Sequence, residues 1–235
     1  MLYGGWTVYA AGDHFTGGEF EVVGTQPNYL GRSRRLTGLL LDRTFGLAVW
    51  MPGYLLAVPG LAVLVTRRPR PSSWPVLVAP LAAGWATATW VALTMHGWWW
   101  PGRQVVVVLP CLVLIVAWWA AQARRVLPVV VAAGVVGAAN WLWLVVEVLR
   151  LRLRLIVDFA ATSNPLVRGL RVLLPDDRAP SLRDTLLTAA WVAVLAAASV
   201  AAVRVTPGRA PRPPAAPAGP PAPPASSVPA GSSSR

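Results

Sequence analysis

The sequence lacks lysine altogether and contains only one cysteine, two histidines and nine acidic residues. Because Cys111 has no second cysteine to pair with, the chain cannot form an internal disulfide, a multi-cysteine zinc site or a dithiol redox motif. The sequence therefore predicts no metal site and no cofactor. Charged residues make up only 13% of the chain, whereas a typical soluble domain carries roughly 25%. This shortage of charge indicates a membrane protein.

Apolar residues and arginine are correspondingly abundant. Apolar residues make up 55% of the chain, all 21 basic residues are arginine, and the formal net charge is +12. A basic chain can bind nucleic acid, but these arginines stand in short flanks between apolar runs, and no basic face with interleaved aromatics is visible. They are placed to orient membrane spans and to contact anionic lipid headgroups. Membrane lipids, and not nucleic acid, are the expected partners.

Five apolar stretches are long enough, or nearly so, to cross a membrane as helices. A hydrocarbon core about 30 Å thick needs roughly 20 apolar helical residues. The predicted spans are Phe45 to Val65, Trp74 to Met95, Gln104 to Ala120, Val126 to Glu147 and Thr185 to Val203. Pro52 and Pro59 are expected to kink the first span. The predicted fold class is therefore all-α, a helical integral membrane bundle of about five transmembrane helices.

The remaining segments complete the predicted organisation. Residues 1–43 are interpreted as an outer-face loop and interfacial segment, residues 44–147 as a four-span bundle, residues 148–184 as a second outer-face loop, residues 185–204 as the fifth transmembrane helix, and residues 205–235 as a disordered Pro/Ala/Ser-rich tail. GEFEVV near the amino end has brief strand-like alternation. Leucine alternates with Arg150, Arg152 and Arg154 at period two, which predicts a strand with a solvated arginine face.

The short basic connections decide the predicted orientation. RRPR and QARR contain arginine and no acid, whereas all nine acids fall on the other side of the alternating spans. Short basic loops favour the cytoplasmic side. We therefore predict a multi-pass protein of the cytoplasmic membrane with its amino end outside and its tail inside.

Polar residues near the spans are first assigned structural roles. Asn140, inside the fourth span, is expected to hydrogen-bond to a neighbouring helix or subunit. The pairs Ala133/Gly137 and Gly134/Ala138 predict close helix packing. Glu147 is expected to pair with Arg150, and Asp42 with Arg43 as a local ion pair that ends a surface helix.

One outer turn, MHGWWWPGR, combines aromatic and basic residues. The three tryptophans are typical of an aromatic belt at the membrane interface, and the Pro-Gly pair that follows predicts a turn. His96 and Arg103 flank the turn at headgroup depth, where the guanidinium could bind a lipid-linked phosphate. In the same reading Arg43 joins Arg103 at that phosphate.

LDRTFGLAVWMPGYLLAVPGL and GWWWPGRQVVVVLP resemble the carboxy-terminal half of bacterial multi-span proteins related to type-C glycosyltransferases of the protein-mannosyltransferase group. The similar stretch covers about residues 38 to 120. GDHFTGGEF and DFAATSNPL show a weaker similarity to the same family. The resemblance implies transfer of a sugar from a polyprenyl-phosphate donor at the outer membrane face. It also implies an acidic general base, with cations that steady the phosphate leaving group.

The family places its base in the first outer loop, after a first span. Here no span precedes residue 45, so we expect either a chain that corresponds to part of such an enzyme or a different acid in that role. Asp13 and Glu19 are the available acids, with solvated loop charges as their alternative interpretation. A non-catalytic membrane scaffold or accessory subunit is the alternative function. A transporter is a weaker one, because the spans contain few polar groups near the midplane.

Overall fold

The computed structural model describes residues 29–67, 71–92, 103–150, 161–177 and 179–206. Within these ranges the chain is helical and contains no strand, which confirms the predicted all-α class. The predicted strands in GEFEVV and around Arg152, and the Pro/Ala/Ser-rich tail from residue 207 onward, lie outside the described residues.

Three helices are long and apolar enough to cross a membrane, and they coincide with the last three predicted spans. A 3-10 turn at Arg103–Val108 leads into α6 (Leu109–Gln122). A second 3-10 turn at Arg124–Val126 leads into α7 (Leu127–Leu149). Helix α9 (Leu182–Val205) is the last. Pro110 and Pro128 each lie in a first helical turn, where a missing backbone N–H costs little.

The first two predicted spans are interrupted helices. Two short helices, α1 (Tyr29–Arg32) and α2 (Arg35–Leu41), precede the first span. That span consists of α3 (Leu47–Trp50), a 3-10 turn at Pro52–Leu56 and α4 (Ala57–Thr66). The second consists of α5 (Trp74–Ala86), which widens into a π-helix at Thr87–Val91. The break predicted at Pro52 is present, whereas Pro59 lies in the first turn of α4.

The helices pack around one main apolar core. Leu39, Val49, Val105 and Ile115 are almost completely buried within it, and Val167 joins them from α8 (Pro165–Leu173). Helix α4 packs against both α6 and α9. The apolar stretch at residues 36–41 belongs to the segment predicted to be interfacial, but Leu39, Leu40 and Leu41 are buried in the core, whereas Leu36 is exposed.

The predicted close approach of small residues is confirmed for one of the two pairs. A Cβ placed on Gly137 would lie 3.0 Å from the Met51 sulfur, and one on Gly53 would lie 3.5 Å from the Ala133 Cβ. The interrupted part of the first span therefore packs against the Ala133/Gly137 face of α7. A Cβ on Gly134 would meet nothing within 4 Å.

Segments that the alternation of spans assigns to one membrane face meet at one end of the bundle. Arg32 donates to the Trp90 carbonyl at 2.7 Å, and Arg35 donates to the Ala92 carbonyl at 2.7 Å. These bonds satisfy carbonyls at the end of the second span. The Arg43 N–H donates to the Pro175 carbonyl at 2.8 Å, which ties the segment before the first span to the connection before α9. At the other end, the Trp119 indole donates to the Thr206 hydroxyl at 3.1 Å.

Candidate functional site

A basic cleft of about 480 Å³ lies where the segment before the first span meets the connection before the last. Its lining comes from three separate parts of the chain: Arg43, Thr44, Arg168, Arg171, Val172 and Arg183. We call this group the arginine cleft. Each part is held in place by its own set of hydrogen bonds.

Asp42 fixes the first wall of the arginine cleft. Its side chain is 1% exposed. One carboxylate oxygen accepts the N–H groups of Thr44 at 2.8 Å and Phe45 at 2.6 Å, and the other accepts the N–H of Asp177 at 3.0 Å. Asp42 thus organises the turn that carries Arg43 and holds it to residues 174–177.

The ion pair of Arg43 is formed with Asp176 and not with its neighbour Asp42, so the predicted local pair was wrong. The adjacent acid was the expected partner because spacing along the chain indicates only local contacts. The turn instead buries the Asp42 carboxylate against backbone N–H groups, and the Arg43 guanidinium pairs with Asp176, 133 positions away.

Helix α8 supplies the second wall. Its sequence PLVRGLRVL places Arg168 and Arg171 three residues apart, on one face, and Val167 beside them is buried in the core. Asn164 caps the helix by accepting the N–H of Leu166 at 2.9 Å and that of Val167 at 3.4 Å. At the other end, Arg171 donates through Nε to the Arg43 carbonyl at 3.2 Å. The two walls are therefore in direct contact.

The start of α9 supplies the third part. Ser181 and Asp184 form a capping box, in which each side chain accepts the other residue's backbone N–H. Asp184 also accepts the Asp176 N–H at 3.0 Å. This arrangement places Arg183 beside α8, where its guanidinium donates to the Val172 carbonyl at 2.7 Å.

Polar residues of α7 support the second wall from inside the bundle. Glu147 accepts hydrogen bonds from the Thr162 and Ser163 hydroxyls and from the Ser163 N–H, the last at 2.8 Å. The predicted pairing of Glu147 with Arg150 is therefore replaced by a buried cap on residues 162–163. Asn140 accepts a hydrogen bond from the Asn164 side chain at 2.6 Å and donates to the Trp50 carbonyl. Its predicted role in bonding to a neighbouring helix is confirmed.

The lining of the cleft is basic, and the carboxylates of Asp42, Asp176 and Asp184 lie close behind it. Four guanidinium groups line it, and Asp176 is the carboxylate paired with one of them. Burial lowers the pKa of Arg171 from its ordinary value, the charge of Arg43 lowers it further, and Asp42 acts in the opposite direction. Such a site favours an anion, because planar guanidinium groups bind phosphate oxygens in pairs. Among the described residues, no three His, Cys, Asp or Glu side chains lie close enough to hold a metal ion.

The residues singled out from the sequence have different outcomes. Arg43 lies in the cleft. Arg103 begins the 3-10 turn before α6 and is not among the residues that line the cleft. The other three candidates, Asp13, Glu19 and His96, lie outside the described residues.

The arginines of α8 and α9 were not singled out from the sequence. For Arg168 and Arg171 a signal was available, because apolar and basic residues alternate along PLVRGLRVL with the period of an amphipathic helix. The supporting stripe Gly137, Asn140, Leu144 and Glu147 also follows helical spacing and marks the buried face of α7. The meeting of these parts with Arg43 depends on tertiary packing, which no local pattern encodes.

The fold and the site define a helical membrane protein with a basic cleft at the helix ends. Comparison with protein-family models, with curated proteins and with solved structures found no match for this chain.

Proposed function

We propose that this protein binds the phosphate of a polyprenyl-phosphate sugar at the outer face of the cytoplasmic membrane and takes part in transfer of that sugar. The arginine cleft is the observation that carries the proposal. Four arginines line one cleft at the ends of membrane helices, the depth at which a lipid-linked phosphate lies. The resemblance of residues 38–120 to type-C glycosyltransferases supports the same ligand class.

The chemistry assigns the arginines to the leaving group. When a sugar leaves a polyprenyl phosphate, negative charge develops on the phosphate oxygen. Guanidinium groups fixed beforehand stabilise that charge without reorganising. Arg168 and Arg171 come from one rigid helix and Arg43 from a capped turn, so their positions are set before the ligand arrives. An ionised carboxylate must accept the proton of the attacking hydroxyl, and Asp13 and Glu19 remain the candidates for that general base.

Transfer of labelled sugar from polyprenyl phosphate tests this proposal in membranes that contain the full chain. We expect transfer by the unaltered protein, and its loss with Arg168→Ala and Arg171→Ala. Arg124→Ala is the matched control, because this exposed arginine lies in the turn between α6 and α7, at the opposite end of both helices from the cleft segments. Asp13→Asn and Glu19→Gln test the base. Absence of transfer from every donor, with neighbouring membrane proteins co-expressed, overturns the enzymatic role.

A non-catalytic accessory subunit that holds the lipid donor for a partner is the second candidate. It is favoured by the state of three acids near the cleft. Asp42 and Asp184 are committed to backbone N–H groups, and Asp176 is paired with Arg43. Binding of polyprenyl-phosphate sugar to the purified protein in nanodiscs, without transfer, would select this alternative.

A further inference from the structure

The interrupted first span leaves a backbone acceptor that a regular helix would satisfy internally. Helix α3 ends at Trp50, and Met51 has φ −140° and ψ 78°, outside the helical region. The N–H of Tyr54, four residues beyond Trp50, donates instead to the Met51 carbonyl at 3.0 Å. Asn140 of α7 supplies a donor to the Trp50 carbonyl through its side-chain amide.

The same carboxamide reaches the opposite wall of the cleft. Asn140 is 3% exposed, and its oxygen accepts the Asn164 side-chain N–H at 2.6 Å. Asn164 is itself the N-cap of α8, the helix that carries Arg168 and Arg171. One buried side chain therefore joins the break in the first span to the start of the arginine-bearing helix.

The first-span side of this link leads to the cleft as well. The Trp50 indole donates to the Thr44 carbonyl at 2.8 Å, and Thr44 lines the cleft beside Arg43. A continuous series of hydrogen bonds thus runs from the Thr44 wall through Trp50, Asn140 and Asn164 to the α8 wall. These bonds add to the direct polar contacts between the walls, the Arg171–Arg43 hydrogen bond and the Glu147 cap on residues 162–163.

The geometry points to Asn140 as a positioning residue that sets the spacing of the two arginine-bearing walls for binding of a phosphate-bearing lipid. This inference rests on the proposed function, because the ligand class is taken from it. Asn140 does not line the cleft. It acts through Asn164 on Arg168 and Arg171, and through Trp50 on Thr44 and Arg43.

Two variants isolate this role. Asn140→Leu removes both hydrogen bonds at similar side-chain volume. Asn164→Asp keeps an oxygen that caps α8 but removes the N–H that Asn140 accepts, so it tests the link even if Asn140→Leu fails to fold. Leu142→Ala is the control, because Leu142 lies on the exposed face of the same helix.

The first measurement is binding of a polyprenyl-phosphate sugar to each full-length protein in nanodiscs. We expect both variants to bind about tenfold more weakly, the equivalent of roughly one lost hydrogen bond, and Leu142→Ala to bind as the unaltered protein does. Asn164→Asp, which breaks only the link to α8, is then repeated in a background of Arg168→Ala and Arg171→Ala. If the link acts by placing these arginines, this substitution changes the residual affinity there by less than about twofold.

A general loss of stability would weaken binding by the same factor in both backgrounds, and that result overturns the inference. Hydrogen exchange of the amides of residue 164 and residues 166–168, measured without ligand, tests the link separately. Faster exchange in Asn164→Asp and Asn140→Leu supports it, and unchanged exchange overturns it. If the unaltered protein binds no polyprenyl-phosphate sugar, the proposed function fails, whereas the exchange measurement still decides whether Asn140 holds the start of α8.

Discussion

Arg43 and Asp176 form an ion pair that joins the turn before the first span to the connection before α9. The pair lies at the edge of the arginine cleft, with the arginine side chain 39% exposed and the aspartate 18% exposed. A phosphate entering the cleft would compete with Asp176 for the same guanidinium. We therefore expect the carboxylate to lower the affinity of the cleft for anions while it helps to hold the two segments together.

Asp176→Asn is expected to strengthen binding of a polyprenyl-phosphate sugar. Removing a partly exposed carboxylate from Arg43 releases about 0.5–1 kcal/mol of competing interaction, which corresponds to roughly two- to fivefold tighter binding. Titration of the donor into nanodiscs measures this change. Arg43→Ala should weaken binding in the same assay, and equal affinity for both variants would contradict the assignment of Arg43 to the anion site.

Arg168 is expected to contribute through both its charge and its shape. Arg168→Ala should weaken binding of the lipid phosphate by about 1.5–3 kcal/mol, the usual range for a hydrogen bond to a charged group. Arg168→Lys should lie between the two, because an ammonium keeps the charge but loses the planar pair of donors. The affinities of the unaltered protein and the two variants should converge as the salt concentration rises, because salt screens the charge of Arg168. A lysine variant as weak as the alanine variant would contradict a role for charge.

Asp42 should be more important for stability than for binding. Asp42→Ala leaves three backbone N–H groups without their carboxylate, which costs about 3 kcal/mol or more. Asp42→Asn keeps the side-chain volume and one oxygen, so it should lose less. Unfolding in detergent, followed by tryptophan fluorescence, ranks the three proteins. Equal stability of the alanine and asparagine variants would show that the turn does not depend on these hydrogen bonds.

Two glycines should respond in opposite ways to alanine. A Cβ on Gly46 would lie 2.5 Å from the Asp42 backbone nitrogen and 2.6 Å from its carbonyl oxygen, and backbone atoms cannot move aside easily. Gly46→Ala should therefore destabilise the protein by about 1–3 kcal/mol. Gly134→Ala meets open space inside a helix and should be neutral or stabilising by up to about 1 kcal/mol. The same unfolding measurement compares them, with the opposite ranking as the contrary result.

Composition and the length of apolar runs were sufficient to predict the uninterrupted helices. The last three spans coincide with helices within a few residues, because an apolar run of this length forms one simple element in a membrane. The first two spans were less accurate, since the sequence marks Pro52 but does not reveal the π-helix at Thr87–Val91. The carbonyls at the end of this span accept hydrogen bonds from Arg32 and Arg35, which lie more than 50 residues away in the chain.

The candidate site was only partly accessible from the sequence. Arg43 was identified because arginine suits phosphate and stands before a span. Its real partner and its three companion arginines come from elsewhere in the chain, and local spacing favoured the wrong acid. Polar residues inside apolar spans, such as Asn140, indicated contacts more reliably. A buried amide needs a hydrogen-bond partner whatever the topology of the bundle is.

The broken helix at Met51 has an evolutionary consequence. If the backbone at residues 50–54 became a regular helix, the Trp50 carbonyl would accept the Tyr54 N–H, and the amide of Asn140 would lose its acceptor. An apolar residue would then suit position 140 better once the Asn164 amide, which also bonds to Asn140, is replaced as well. Related sequences should therefore show correlated exchange: asparagine or another donor at this point where the Met-Pro interruption persists, and leucine or valine where it has been repaired.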